Sequence, residues 1–95
     1  MTSSPFPDAD GIAAAVLACP GVVGLHGGVF GEVATYLPSR RVIGVQVAAD
    51  RVAVHITARL GDPVQLVAAG VRAVTEPLAC GWPVDVVVED VDQPS

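Results

Sequence analysis

An alternation of apolar and polar residues near the middle of the chain restricts the possible folds more than any other feature. Between residues 52 and 58 every second residue is apolar, with His55 and Thr57 among those between. Because successive side chains of a strand point to opposite faces of a sheet, this pattern predicts a β-strand with one buried face. Residues 43–47 alternate in the same way, and Ala49-Asp50 predicts a hairpin turn between the two strands. Residues 22–25 and 84–88 predict two more strands.

The N-terminal third of the chain predicts one helix. Asp8 or Asp10 is expected to cap it, and its apolar residues follow at helical spacing between residues 12 and 19. Pro20-Gly21 ends it. Residues 32–37 are expected to form a single helical turn before the next proline.

The second helix has the clearest start signal in the chain. Asp62 is expected as its N-cap, Pro63 as its first helical residue and Gln65 as the capping-box partner. An apolar stripe runs on to residue 78. Pro77 is expected to bend or end the helix, and Gly81 to close it in the left-handed conformation.

The order helix, strand, strand, strand, helix, strand predicts an α+β fold. Both helices should pack on one face of a small, mostly antiparallel sheet. We expect one domain over residues 8–91, a flexible N-terminus at 1–7 and an acidic tail at 92–95. The open face of the sheet is expected to be mixed in charge and to carry Gln46, Arg51, His55, Thr57, Arg59, Asp85, Val87 and Glu89.

Charge and composition argue against several kinds of function. The net charge is −5, and arginine supplies all five cations. An acidic protein repels phosphate backbones and anionic lipid heads, so neither nucleic-acid binding nor direct membrane insertion is expected.

The longest mainly apolar stretch, residues 11–25, falls short of the ~20 residues that span a bilayer. With Asp8 and Asp10 where a signal peptide carries Lys or Arg, we expect a cytoplasmic protein. Arginine without lysine suggests a bacterial, GC-rich genome.

No arrangement of residues indicates an enzyme, a cofactor or a metal. The His-Gly-Gly sequence at 26–28 is accompanied by no Gly-x-Ser-x-Gly nucleophile motif, and His55 lies on another element. Asp85 and Glu89 share a strand face but are separated by roughly 13 Å, too far for a paired-carboxylate site. No set of His, Cys and carboxylates has metal-ligand spacing.

The cysteines give no catalytic signal either. Cys19 and Cys80 form neither a ligand motif nor a disulfide framework, and each follows a predicted helix and precedes a strand. We expect two reduced thiols, with a disulfide or redox pair as the alternative.

The glycine-rich loop from Gly24 to Gly31 offers a second function. It contains two consecutive G-x-x-G sequences, and such loops let backbone amides approach phosphates. A small nucleic-acid or nucleotide binder that uses this loop is therefore the alternative to a protein-interaction domain. Against it, phosphate-binding loops normally carry Lys or Arg, and this one carries neither. A third interpretation is that the loop only connects two elements and needs glycine for its positive φ angles.

Residue types found at protein interfaces occur in two places. An aromatic residue, a leucine and two arginines lie close together shortly after Phe30, and aromatic and arginine side chains are enriched at interfaces. In the last strand Val87 and Val91 are expected on the outer face, where polar residues are usual. The candidate interaction residues are Phe30, Tyr36, Leu37, Arg40, Arg41, Val87 and Glu89. We expect a homo-oligomer, or docking on a relative of the same fold.

Three segments carry a characteristic order of features over about residues 12–91. They are CPGVVGLHGGVFGEVATYLPSRRVIGVQV, RVAVHITARLGDPVQLVAAGVRAV and PVDVVVEDV. Pro-Gly-Val follows the first helix, then come a glycine loop, a Gly-Val-x-Val strand, a helix containing Val71-Arg72 and a strand ending in Glu-Asp-Val. This order resembles the alkaline shock protein family of envelope stress response proteins. The resemblance implies a non-enzymatic cytosolic scaffold in cell-envelope homeostasis, which self-assembles or is held near the membrane by an anchor protein with a related domain. It implies no catalytic residues.

Overall fold

Two helices and six strands make up residues 6–93, the part of the chain that the computed structural model describes. The helices are α1 (Ala9–Leu17) and α2 (Val64–Thr75), and a 3₁₀ turn at Glu76–Leu78 follows α2. The strands are β1 (Val22–Leu25), β2 (Ala34–Leu37), β3 (Arg40–Ile43), β4 (Val45–Ala48), β5 (Arg51–Arg59) and β6 (Val84–Asp92). The predicted α+β class is confirmed, with two strands more than the sequence suggested before the second helix.

Strand β5 is the centre of the main sheet. On one side β4 pairs antiparallel with its first half and β1 antiparallel with its second half. On the other side β6 pairs with it in parallel along almost its whole length. The predicted hairpin turn lies between β4 and β5, where Ala49 and Asp50 both have positive φ, as a two-residue turn requires. The sheet is therefore mostly antiparallel, as predicted.

Strands β2 and β3 form a separate antiparallel ribbon beside β4. The Thr35 hydroxyl donates to the Val45 carbonyl at 2.5 Å and accepts from the Val47 amide at 3.1 Å. The helical turn predicted over residues 32–37 is wrong, because residues 34–37 are extended and Thr35 bonds to the main chain of β4.

Gly44 divides the single strand predicted over residues 43–47. Its φ of +86° turns the chain between β3 and β4. As a result Ile43 is exposed on the ribbon, whereas Val45 is fully buried under the helices. The alternating residues 43–47 therefore belong to two strands, β3 and β4, and not to one.

Both helices pack on one face of the main sheet and bury the apolar positions of β5. Ile12 and Val16 of α1 and Val67 and Val71 of α2 are buried there, as their helical spacing predicted. Thr75 is the one polar residue buried in the described part of the chain, and its hydroxyl donates to the Val71 carbonyl at 2.7 Å. The β5 side chains in this core are Val52, Val54, Ile56 and Ala58.

The start of α2 differs from the prediction. Pro63 is extended, with φ −65° and ψ 112°, and occupies the N-cap position without any side-chain cap. Asp62 therefore stands one residue too early to reach the first helical amides, and it lies 3.8 Å from the Arg59 Nε. The predicted Asp62 cap and Gln65 capping box are wrong. At the other end Gly81 has φ +81°, as predicted.

The chain ends are only partly described. The Phe6 ring packs edge-on against Trp82, with ring centroids 5.9 Å apart. Residues 1–5 of the predicted flexible N-terminus and residues 94–95 of the predicted tail lie outside the described residues. Asp92, placed in the tail by sequence, is the last residue of β6. No helix among residues 6–93 has the length and apolar character to cross a membrane.

Candidate protein-interaction site

The predicted interaction residues lie at two opposite edges of the molecule. Those between residues 30 and 41 belong to the β2–β3 ribbon and its preceding loop, which flank β4. Val87 and Glu89 belong to β6. Because β5 lies between β4 and β6, these two groups of residues form separate surfaces.

The glycine-rich loop is closed by hydrogen bonds within itself. The Gly28 amide donates to His26 Nδ1 at 2.9 Å, and the Phe30 amide donates to Glu32 Oε2 at 2.9 Å. Gly28 has φ +86°, and a Cβ there would lie 2.7 Å from the Glu32 carboxylate. The loop therefore wraps around a carboxylate of its own chain, and the positive φ of Gly28 favours glycine at that point.

This closure leaves apolar side chains in solvent at the tip of the loop. Phe30 is 89% exposed and Val29 is 80% exposed. A Cβ on Gly27 would lie 3.1 Å from the Ile43 side chain, so the base of the loop packs against the ribbon. The loop and the ribbon thus form one continuous projection.

The ribbon has an inner and an outer face because its side chains alternate. Tyr36 pairs with Arg41 across the two strands, and Ile43 follows on the same face. All three are exposed, Tyr36 by 68%. We call the exposed residues of the loop tip and of this outer face the ribbon surface: Val29, Phe30, Tyr36, Arg41 and Ile43.

Two other predicted residues hold the ribbon in place. Leu37 is partly buried and packs against the core. Arg40 forms a hydrogen-bonded ion pair with Asp10 of α1. The hydrogen bond and the charge of Asp10 raise the pKa of the Arg40 guanidinium above its usual range. Arg40 and Leu37 therefore connect the ribbon to the domain, whereas Tyr36 and Arg41 face outward.

The second surface is the outer face of β5 and β6, which carries paired charges. Arg51 donates to both carboxylate oxygens of Asp85 at 2.8 to 3.0 Å. His55 Nδ1 lies 2.6 Å from Glu89 Oε2. Val87 stands between these pairs and is 38% exposed. A depression of about 350 Å³ lies beside the Arg51–Asp85 pair. Half of its lining residues are alanine, and the full set is Gln46, Ala48, Ala49, Arg51, Ala53 and Asp85.

A bulge interrupts β6 at Glu89. Val88 is level with Ile56, but the next β5 residue, Thr57, is level with Asp90. The extra residue shifts the alternation by one position. Val91 is consequently level with the buried Ala58 and not with the outer-face residues, but at the end of the strand its side chain is still 39% exposed.

The described residues contain no group of three or more His, Cys, Asp or Glu that could hold a metal ion. Cys19 is buried between the helices, and its thiol contacts the carbonyls of Ala15 at 3.6 Å and Gly70 at 3.8 Å. Burial raises the pKa of this thiol. Cys80 is exposed. That both thiols are reduced in the cell stays a prediction.

A third exposed apolar region, not predicted from the sequence, lies between the end of α1 and the start of α2. Leu66 is 70% exposed and lines a depression of about 200 Å³ together with Pro20 and Pro63. Leu66 does not belong to the apolar stripe of α2, and this position outside the stripe could have predicted its exposure. Val29 and Ile43 were not predicted as exposed interaction residues either, because Val29 lies in the glycine-rich loop and Ile43 was assigned to a single strand with Val45 and Val47.

Comparison with known proteins adds no relative. The sequence matches no family model, and neither a curated protein nor a solved structure gives a significant match. The fold and surfaces define a small α+β domain with exposed apolar side chains on a structured ribbon. The resemblance to alkaline shock proteins therefore rests on the sequence features alone.

Proposed function

We propose that the chain is a non-enzymatic protein-interaction domain that acts as a scaffold in cell-envelope homeostasis. The ribbon surface is the observation that carries this proposal. Two aromatic side chains and an arginine project from it, and these are the residue types that dominate the energy of protein interfaces.

The ribbon surface is also ordered before any partner binds. Hydrogen bonds to His26 and Glu32 fix the loop that presents Phe30. Thr35 and Arg40 fix the ribbon to β4 and α1. A partner would gain the burial of Phe30, about 1.5–3 kcal/mol for a fully buried side chain, without having to order the loop first.

The geometry of the glycine loop supports protein binding over phosphate binding. A phosphate cradle needs free backbone amides, and those of Gly28 and Phe30 already have acceptors. The acceptor of the Phe30 amide is the Glu32 carboxylate, which would repel a phosphate. The loop itself has no Lys or Arg to offset that charge.

We infer two kinds of partner from the family resemblance. One is a second copy of the chain, and the other is a membrane anchor protein with a related domain. Either would keep the chain in the cytoplasm, and the second would hold it close to the membrane without inserting it.

Sedimentation equilibrium at micromolar concentrations tests the proposal. We expect a mass above that of one chain, which falls toward one chain in Phe30→Ala and Tyr36→Ala. Leu66→Ala is the matched control, because it removes an exposed apolar side chain of α2 that is not part of the ribbon surface, and it should leave the association unchanged. Capture from a membrane fraction tests the anchor protein with the same variants. A single-chain mass at every concentration, with no capture of a related-domain protein, would contradict the proposal.

A further inference from the structure

The outer edge of β6 presents main-chain groups to solvent. Among residues 6–93, β6 pairs only with β5. The Val52 amide donates to the Pro83 carbonyl at 2.9 Å, so this carbonyl points toward β5. Residues of a strand alternate between its two edges. The main-chain groups therefore point to the outer edge at residues an odd number of positions from Pro83, namely Val84, Val86 and Val88.

Side chains cover this edge at both ends and leave its middle open. The Arg72 guanidinium donates to the Val84 carbonyl. At the other end Asp90 Oδ1 accepts from the Val91 amide at 2.8 Å. Within the described part of the chain, no other element bonds to Val86 or Val88 on this side. The open edge is thus about five residues long, from Asp85 to Glu89.

The charges along the open edge select among possible occupants. Residues 84–92 contain four acidic residues and no basic one. Two of them, Asp85 and Glu89, pair on the β5 side with Arg51 and His55, so cations on an added strand would continue the alternation of charge across the sheet. If a second copy paired antiparallel about Val87, Asp85 would face the Glu89 of the other chain, and like charges directly opposite destabilise a sheet. A strand with cations at those two positions would instead be attracted.

We infer that the β6 edge accepts an extended, cation-bearing segment of a partner protein as an added strand. The pattern that fits is cation-x-apolar-x-cation. Its cations lie opposite Asp85 and Glu89, its apolar residue meets Val87, and the main chain of the two residues between bonds to Val86 and Val88. Arg72 and Asp90 set the length of the added strand. This inference rests on the proposed function as a protein-binding domain.

The inference is tested by measuring hydrogen exchange of the backbone amides of the full chain, with and without a short added peptide. The probe is the acetylated and amidated peptide Arg-Thr-Val-Thr-Arg. It should slow exchange of the Val86 and Val88 amides and leave that of Val87, which faces β5, unchanged. The same peptide N-methylated at both threonines keeps its charge but loses two donors, and it should bind about tenfold or more weakly.

Two charge variants distinguish binding at the β6 edge from general attraction of a cationic peptide to an acidic protein. The double variant Asp85→Asn, Glu89→Gln should weaken peptide binding several-fold. Asp50→Asn in the hairpin turn removes a charge away from the edge and should leave binding unchanged, since asparagine also tolerates the positive φ found there.

Four results would overturn the inference. The first is slow exchange at Val86 and Val88 in the chain alone at low concentration, because the edge would then already be covered. The second is protection that grows with chain concentration without peptide, which would make a second copy the occupant. The third is equal binding of Glu-Thr-Val-Thr-Glu, and the fourth is no binding at all. Association through the ribbon surface is measured separately, so either failure can occur without the other.

Discussion

Gly44 lies where the ribbon, the glycine loop and β5 meet. Its amide donates to the Val33 carbonyl and its carbonyl accepts from the His55 amide, both at 2.8 Å. Its φ is +86°, and a Cβ would lie 2.7 Å from Leu25 Cβ and 3.0 Å from the His26 nitrogen. Any other residue would combine an unfavourable backbone conformation with close contacts to Leu25 Cβ and to the main chain of His26 and His55.

We predict that Gly44→Ala destabilises the domain by roughly 2 kcal/mol or more, from left-handed strain and overpacking together. The measurement is the free energy of unfolding in urea. Gly24→Ala is the control, because Gly24 has no positive φ and no atom within 4 Å of a Cβ placed there. Equal stability of the two variants would show that Gly44 is not a fixed junction.

At the scale of the elements, sequence pattern succeeded where each element depends on its own residues. The alternation of β5 and the stripe of α2 predicted which side chains are buried, because both follow from the geometry of a single strand or helix. The pattern failed over residues 32–37, where the Thr35 hydroxyl bonds to Val45 and Val47. A contact between segments ten or more residues apart leaves no periodic signal in either one.

Pairing between β2 and β3, which leaves no periodic signal in the sequence, also explains why some candidate interaction residues face the domain and not the solvent. Residue types identified Phe30, Tyr36 and Arg41, all of which the structure exposes. Leu37 and Arg40 were grouped with them by residue type alone, because the pairing of β2 with β3 was not predicted. In a paired ribbon neighbouring residues point to opposite faces, so these two turn toward the domain.

The corrected start of α2 changes the expected effect of a substitution. Asp62 caps no helical amide, and its contact with Arg59 joins two partly exposed side chains. We predict that Asp62→Ala alters the free energy of unfolding by no more than about 0.5 kcal/mol, as for other surface ion pairs. Arg59→Ala should behave alike. A loss of about 1 kcal/mol or more in Asp62→Ala alone, measured in urea, would mean that the carboxylate does cap the helix.

At the scale of the whole molecule, the two proposed surfaces lie on opposite sides of β5. The ribbon flanks β4, and the open edge belongs to β6. A partner on one surface therefore need not displace a partner on the other, and one chain could join two different proteins.

We predict that the two binding events are independent. The dissociation constant of the Arg-Thr-Val-Thr-Arg peptide should be the same for the unaltered chain and for Tyr36→Ala. Likewise, saturating peptide should leave the sedimentation mass of the unaltered chain unchanged. Fluorescence anisotropy of a labelled peptide gives the first quantity, and a shift of about tenfold would show that the surfaces overlap or are coupled.

The parallel pairing of β5 with β6 has a consequence for the way the chain is made. The strand at the centre of the sheet is complete by residue 59, but its parallel neighbour begins only at residue 84, beyond α2. A ribosome that has released β5 and α2 leaves one side of the central strand without its partner. The main-chain groups on that side of β5 thus stay unpaired until residues 84–92 emerge, and during that interval the nascent chain is most exposed to aggregation and to chaperones.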